Sequence, residues 1–309
     1  MRKSNTIQKA SWLFLLLFTG LFSGPALLRA QDITTFFVFG DWGREGKEHQ
    51  TEVATAMAKQ ADLDHPKFIL STGDNFYEDG VRSVTDSQWQ TSFERVYNAP
   101  SLQIPWYVSL GNHDYITNAD VEVDYSKVNS RWVMPSRYYA KEVQIDATTT
   151  ALFLMIDTSP FIISYQKKDE KYHVLSQSTA AQLQWMDSVL SHSKAKWKFA
   201  VGHHPVYASA KDDSDTPELI DQVLPIFRKY HVQAYFCGHV HNLEHLKERG
   251  VDFYISGGGS QGHPVTPRVD VLFAQGTAGF LEVSLNRNSL FASFYDNTGK
   301  LLDQSSVKP

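Results

Sequence analysis

The stretch Gly73-Asp74-Asn75-Phe76-Tyr77 decides how the rest of this sequence is interpreted. It follows a short apolar run, residues 68–70, that is typical of a buried strand. Asp74 and Tyr77 are therefore predicted to lie on the loop at the carboxyl end of that strand. Because a carboxylate at such a position can bridge two cations, we take Asp74 as the predicted shared ligand of a two-metal site.

Four further segments place oxygen or nitrogen ligands directly after an apolar run. They are Gly40-Asp41-Trp42-Gly43, Gly111-Asn112-His113-Asp114, Gly202-His203-His204-Pro205 and Gly238-His239-Val240-His241. Each segment alone has an ordinary explanation as a turn, a cap or a polar surface loop. All five together, each after a predicted strand, are hard to explain as independent accidents. We expect the five loops to converge on one site.

The apolar pattern between these loops predicts an α/β fold. Strands are predicted at residues 34–39, 68–70, 106–110, 138–145, 150–157, 196–201, 234–237, 251–256, 280–284 and 290–295, and helices at 48–60, 86–97, 178–190 and 217–230, the last kinked at Pro225. Residues 116–136 lack a clean period and are predicted to be irregular. Repeated strand-loop-helix units imply a mainly parallel sheet with its functional loops at one edge. The strand count suggests two mixed sheets packed face to face with helices outside.

The first thirty residues have the layout of a secretory signal peptide. The features are basic residues at 2, 3 and 9, an apolar core at 12–22, then Gly24-Pro25 and the small residue Ala30. The apolar core is too short to span a bilayer comfortably. We predict a signal peptide at residues 1–30, one domain over 31–309, and an exported protein, periplasmic or extracellular, without a stable membrane anchor after cleavage. An uncleaved amphipathic or anchoring helix is the alternative.

Charge and cysteine content narrow the possible partners. Loss of residues 1–30 removes four basic residues and no acidic one, so the formal net charge moves from -5 to -9. An acidic surface argues against binding to nucleic acid. Cys237 is the only cysteine, so no intrachain disulfide can form.

The ordered set Gly-Asp-x-Gly, Gly-Asp-x-x-Tyr, Gly-Asn-His-Asp, a Gly-His loop and Gly-His-x-His resembles the metallophosphoesterase superfamily. Two features resemble the purple acid phosphatases. One is Tyr77, and the other is Gly43, which stands two positions after Asp41 where other branches of the superfamily carry a histidine. Among these, the order of the motifs is most similar to that of the small, tartrate-resistant acid phosphatases. Residues 235–243 and 255–259 resemble the corresponding segments of that type as well. The resemblance covers roughly residues 36–259 and implies the calcineurin-like metallophosphoesterase fold.

The resemblance also implies two ligand sets that share one carboxylate. The first set is Asp41, Tyr77 and His241, the second is Asn112, His203 and His239, and Asp74 lies between them. With an ionised Tyr77, the first set offers three anionic oxygens and suits Fe(III). The second set suits Fe(II), Zn(II) or Mn(II). With a bridging hydroxide, the pair would keep about one positive charge to attract a phosphate dianion.

The reaction implied by the resemblance is hydrolysis of small phosphomonoesters by water activated on the metal pair. His113 would contact phosphate and protonate the leaving alkoxide, and Asp114 would orient the His113 imidazole. Tyr115 and Asp212 stand where close relatives carry further histidines, which puts a second proton donor in doubt.

The sequence leaves several alternatives open. The same metal pair also serves phosphodiesterases and nucleotide pyrophosphatases, and a non-catalytic metal- or phosphate-binding protein could keep the scaffold. His204 could contact substrate or support a ligand, and His245 could support the metal shell or begin a helix. The oligomeric state is also open.

Overall fold

Two seven-stranded β-sheets form the centre of the described part of the chain, which is residues 33–210, 215–266 and 268–309 of a computed structural model. The strands are β1 Thr34–Phe39, β2 Phe68–Ser71, β3 Trp106–Val108, β4 Trp132–Val133, β5 Tyr139–Asp146, β6 Thr149–Met155, β7 Trp197–Val201, β8 Ala234–Cys237, β9 Leu243–Glu248, β10 Val251–Ser256, β11 Val271–Gln275, β12 Gly279–Leu285, β13 Leu290–Asp296 and β14 Leu301–Val307. The first sheet has the order β14-β13-β12-β1-β2-β3-β4, and the second has the order β11-β9-β10-β8-β7-β6-β5. The described residues form one compact unit.

Helices connect the strands and cover the sheets. They are α1 Gln50–Asp64, α2 Asp120–Tyr125, α3 Ile163–Gln166, α4 Asp169–Tyr172, α5 Thr179–His192, α6 Pro217–Gln222 and α7 Leu224–Lys229, with a short π-helix at Trp89–Glu94. Among the described residues, no helix combines the length and the apolar character needed to cross a membrane. The predicted signal peptide and most of the acidic turn at residues 211–215, including Asp212, lie outside the described residues.

The two sheets pack face to face through aromatic side chains. The Phe36 ring on β1 lies edge-on to Phe153 on β6, with ring centroids 5.3 Å apart, and to Phe236 on β8 at 6.1 Å. Neighbouring residues on β6 point to the opposite face because side chains alternate along a strand. Leu154 therefore packs with Met186 of α5 in a second apolar cluster. The predicted α/β fold with two mixed sheets and outer helices is confirmed.

Strand register brings the five loops to one edge. In the first sheet β1, β2 and β3 are parallel, with Phe39 opposite Ser71 and Ser71 opposite Val108, so the three following loops begin side by side. In the second sheet β7 and β8 are parallel, with Val201 opposite Phe236. The sheets join at this edge, where the Gly40 backbone N–H donates to the Ser256 carbonyl at 2.8 Å.

Several element predictions were wrong, and each error has a physical reason. The predicted helix 217–230 is two helices, α6 and α7, because Pro225 lacks an N–H and enforces a break. The region predicted as irregular contains α2 and β4. The strands β9 and β14, which mix polar and apolar residues, and the short edge strand β11 escaped prediction because pairing with neighbouring strands defines them. His245 therefore lies within β9 and does not begin a helix.

The buried acid Glu282 on β12 yields a prediction about stability. Burial and the neighbouring Asp64 carboxylate raise the pKa of Glu282 to about 7. The folded state then holds this proton more tightly than the unfolded state, so the free energy of unfolding should decline as pH rises from about 5 to about 7. Glu282→Gln should remove this decline and raise the free energy of unfolding by about 1 kcal/mol near pH 8.

Urea unfolding of the parent and the variant at acid and neutral pH measures the effect. Glu170→Gln, on the exposed side of α4, is the matched control and should keep the parent's pH dependence. Equal slopes of stability against pH in the parent and in Glu282→Gln would contradict the prediction.

Candidate metal centre

Four donor atoms from three loops form the first ligand set. The Tyr77 hydroxyl lies 3.1 Å from Asp41 Oδ1, 3.0 Å from Asp74 Oδ2 and 3.1 Å from His241 Nε2. His241 Nε2 is 3.4 Å from Asp41 Oδ1. All four donor atoms therefore face one small volume.

A second set of four donor atoms lies beside the first. His203 Nε2 is 3.2 Å from Asn112 Oδ1 and 3.4 Å from Asp74 Oδ1. His239 Nδ1 is 3.2 Å from His203 Nε2. Asp74 presents one carboxylate oxygen to each set and is buried between them. This is the arrangement that a bridging carboxylate requires.

The spacing of these atoms fits metal binding. Atoms that bind one transition-metal ion at about 2.1 Å lie about 3.0 to 3.4 Å from one another in octahedral or tetrahedral geometry. The distances within both sets, 3.0 to 3.4 Å, fall in this range. The donor set combines carboxylate, phenol, amide and imidazole groups, which suits iron, zinc or manganese and not a calcium site built only from oxygen.

The glycine before a ligand is required by close approach of neighbouring loops. A Cβ added to Gly111 would lie 2.1 Å from Asp74 Oδ1, and one added to Gly238 would lie 2.3 Å from Asp41 Oδ2. Any side chain at either position would displace a carboxylate that belongs to another loop. This explains why Gly precedes the ligand in two of the five segments.

Three of the predicted ligands adopt left-handed backbone conformations. The φ angles are 63° at Asp41, 49° at Asp74 and 68° at His239. Residues other than glycine rarely adopt positive φ, and the conformation is unfavourable unless the surrounding structure enforces it. Here each residue lies two or three positions beyond the end of its strand, β1, β2 or β8, where the chain turns away from the sheet.

Without a cation, protons and hydrogen bonds compensate the charges of the site. Burial raises the pKa of Tyr77 well above its usual value, and the Asp41 and Asp74 carboxylates add to the rise. Burial alone would lower the pKa of His203, but Asp74 outweighs it and the pKa rises to about 9. A metal ion must therefore displace protons from these groups when it binds.

His113 lies at the rim of the site with one ring nitrogen fixed. Its Nδ1 is 2.5 Å from the Glu78 backbone carbonyl, and its backbone N–H donates to Asp74 Oδ1 at 2.9 Å. The other nitrogen, Nε2, faces Asp74 Oδ2 at 3.9 Å. Since 28% of the side chain is exposed, the imidazole can reach a molecule bound over the ligand sets.

The predicted role of Asp114 is corrected by its contacts. Its carboxylate accepts hydrogen bonds from the backbone N–H groups of Gly111, Asn75 and Phe76 at 2.8 to 3.1 Å. It thus ties the loop after β2 to the loop after β3. The group that orients the His113 ring is the Glu78 carbonyl, which has no sequence signature because any residue supplies a backbone oxygen.

The histidines whose roles were open occupy distinct places. His204 is buried, with Nδ1 2.8 Å from Thr158 Oγ1 and Nε2 3.1 Å from Tyr165 Oη. Burial, with His239 and His203 nearby, lowers its pKa well below the usual value, so it supports the second set as a neutral ring. His245 contacts Asp252 at 2.9 Å within the sheet.

Sequence reasoning missed several residues at the site, among them Glu122 and His263. Glu122 is buried, accepts a hydrogen bond from Asn75 Nδ2 at 2.9 Å, and has its pKa raised by burial and by Asp114. The exposed His263 packs its ring 4.5 Å from that of His241. Both come from segments outside the five motifs. Tyr115, by contrast, is buried and donates to Asp157, so it does not replace the expected histidine at the rim.

Comparison with known proteins gives consistent results. Residues 34–243 match the family model of the calcineurin-like phosphoesterases. The chain is 36% identical over 285 residues to purple acid phosphatase 4 of Arabidopsis thaliana, covering 87% of this chain and 81% of the relative. It is 32% identical over 315 residues to tartrate-resistant acid phosphatase type 5 of Homo sapiens, covering 94% and 96%. The solved structure of GAP50, the anchor in the inner membrane complex of Plasmodium, has a TM-score of 0.78 at 24% identity over 90% of this chain and 89% of that one.

The contacts of Asp114 and His113 predict losses of stability of different size when either residue is mutated. Asp114→Ala should lower the free energy of unfolding of the metal-free protein by about 3 kcal/mol, because three buried N–H groups lose their acceptor. His113→Ala removes a partly exposed ring and should cost less than about 1 kcal/mol. Urea unfolding measures both values. A similar loss in the two variants would show that Asp114 does not brace the loops.

Proposed function

Because the chain belongs to the calcineurin-like phosphoesterases and, within them, to the purple acid phosphatases, we propose that it hydrolyses phosphate monoesters at a centre of two metal ions. The observation that carries this proposal is the geometry around Asp74, whose two oxygens face two separate sets of donor atoms. One ion alone would not need a second set of ligands at the same spacing.

The donor chemistry supports an unequal pair of ions. Asp41, Tyr77 and His241 would hold Fe(III), because this set contains the phenol and an unshared carboxylate. Asn112, His203 and His239 would hold Fe(II), Zn(II) or Mn(II), and Asp74 would serve both ions. When bound, such a pair supplies a hydroxide nucleophile at neutral or acid pH and positive charge that holds a phosphate.

The residues at the rim would complete the reaction. His113 Nδ1 donates to the Glu78 carbonyl, so any additional proton is held at Nε2, the nitrogen that faces the ligand sets. That proton is in position to pass to the leaving alkoxide of a bound phosphomonoester. The buried walls around His203 and Asp74 exclude bulk water, which strengthens the interaction of phosphate with the centre.

The fold alone does not separate an enzyme from a binding protein. GAP50 is an anchor protein and shares this fold. Here all seven proposed ligands and His113 are present and brought together, which favours catalysis. We also propose that the protein is exported to the periplasm or the extracellular space, which the predicted signal peptide supports. We propose small phosphorylated molecules as its substrates, because the relatives are phosphatases and the acidic net charge argues against nucleic acid.

His113→Ala should keep both metals and lower kcat for an alkyl phosphate such as β-glycerophosphate by about a hundredfold or more, because the leaving alkoxide loses its proton donor. His192→Ala, an exposed histidine at the end of α5, is the matched control and should retain the parent's kcat. Metal analysis accompanies the kinetics. Parental kcat in His113→Ala would remove this residue from the mechanism.

Assays with different phosphate esters distinguish the phosphomonoesterase from the two alternatives, a phosphodiesterase and a non-catalytic binding protein. A phosphomonoesterase cleaves p-nitrophenyl phosphate faster than bis(p-nitrophenyl) phosphate. The reverse preference would identify a phosphodiesterase. A parent with two bound metals and no turnover of any phosphate ester would identify a binding protein.

Tyr77→Phe should produce a colourless protein beside a violet iron-loaded parent, because only the phenolate donates charge into Fe(III). The variant should also release about one proton fewer when iron binds to the metal-free protein, since the neutral phenol of the parent must ionise. Visible spectra and proton release measured in weak buffer test both effects. A coloured variant with the parent's proton count would exclude Tyr77 as a ligand.

A further inference from the structure

Arg44, which directly follows the Gly-Asp-Trp-Gly segment, lies against the first ligand set. Its guanidinium carbon is 3.7 Å from the centroid of the Tyr77 ring. Its Nη1 is 2.9 Å from Glu78 Oε1, and its Nε donates to Ser260 Oγ at 3.2 Å. We propose that Arg44 is a positioning residue for the metal centre: it fixes the Tyr77 ring and places a permanent positive charge on its face. This inference rests on the proposed function.

The stacking geometry is the first support. A planar guanidinium over an aromatic ring is attracted to it, and the attraction grows when the ring becomes a phenolate. Only 14% of the Arg44 side chain is exposed, so water screens the interaction weakly. Arg44 thus holds the Tyr77 ring from one face and presents its positive charge there.

The remaining contacts of Arg44 connect two more functional groups. Glu78, held by Nη1 of Arg44, provides the backbone carbonyl that orients His113. Ser260, held by Nε, donates its hydroxyl proton to the backbone carbonyl of Asp41 at 2.5 Å. One side chain therefore touches the ligand Tyr77 and the two residues that hold His113 and Asp41. Substitution of Arg44 should therefore disturb the positions of both the metal ligands and the proton donor.

A plain surface ion pair does not account for this arrangement. The Glu78 side chain is 70% exposed, and pairs at such a position contribute little to stability. An ion pair also does not require the guanidinium carbon to lie over a neighbouring ring, nor a second nitrogen, Nε, to donate to Ser260. The planar, forked guanidinium of Arg44 stacks on Tyr77 and contacts Glu78 and Ser260 at the same time, which a flexible lysine cannot do.

Two variants separate the charge of Arg44 from its shape. Arg44→Met removes the charge, so the violet band of the iron-loaded protein should move to longer wavelength, because the phenolate electrons are held less tightly. The reduction potential of the iron should fall for the same reason. Arg44→Lys keeps a charge and should keep most of the band position. Both variants should lose about tenfold or more in kcat, because neither holds Tyr77, Glu78 and Ser260 together.

Arg95→Met is the matched control, since it removes the same charge from an exposed side chain at the end of the π-helix. It should leave band position, reduction potential and kcat unchanged. Arg44→Met with the parent's band and kcat would overturn the inference, as would an equal shift in Arg95→Met. If Arg44→Met does not fold, Arg44→Lys decides, because parental kcat there would show that the fork is not needed.

Failure of the proposed function has a different signature. A parent that binds iron without a violet band, or that hydrolyses no phosphate ester, contradicts the proposed metal centre itself. In a colourless but active parent loaded with a divalent ion, the kcat ratio of Arg44→Met to Arg95→Met still tests Arg44. A ratio near one overturns the inference, and a ratio of about one tenth supports it.

Discussion

The constraint on which the structure depends is the burial of two carboxylates, Asp41 and Asp74, within reach of one phenol. Burying charge is costly unless cations and hydrogen bonds compensate it. The protein supplies fixed compensation through the backbone N–H of His113 to Asp74 and that of His239 to Asp41. It supplies movable compensation through imidazole rings, whose protons a metal can replace. The fold must therefore bring histidine loops from one sheet to carboxylate loops from the other.

Rigid packing beneath the loops keeps this arrangement in place. Trp42 is fully buried, stacks with Phe39 and donates to Ser71 Oγ at 2.9 Å. Ser71 in turn donates to the Asn75 side chain at 2.5 Å. The residue after Asp41 is thereby connected to the residue after Asp74 through two hydrogen bonds. Ligands held by such neighbours keep their separation without a metal, which lowers the cost of ordering the site when one binds.

The sequence predicts features that depend on neighbouring residues in the chain, and it misses contacts between segments that are distant in the chain. The candidate ligands could be selected from the sequence because each follows an apolar strand within a few residues, and strands β1, β8 and β10 have the predicted bounds. Glu122 and His263 were missed because each meets the site only after distant segments pack together. Asp114 was assigned to the adjacent His113 because the sequence shows neighbours in the chain, whereas its contacts lie on the backbone of Asn75 and Phe76.

The asymmetry of the two ligand sets extends into the residues around them. The first set, which contains the phenol, is next to Arg44, a permanent cation that favours anionic ligands. The second set, rich in imidazole, is next to His204, a ring kept neutral by burial and fixed between Thr158 and Tyr165. The two donor sets on either side of Asp74 therefore differ in their surroundings as well as in their own chemistry, with a fixed cation over the phenol of one and a neutral ring beside the imidazoles of the other.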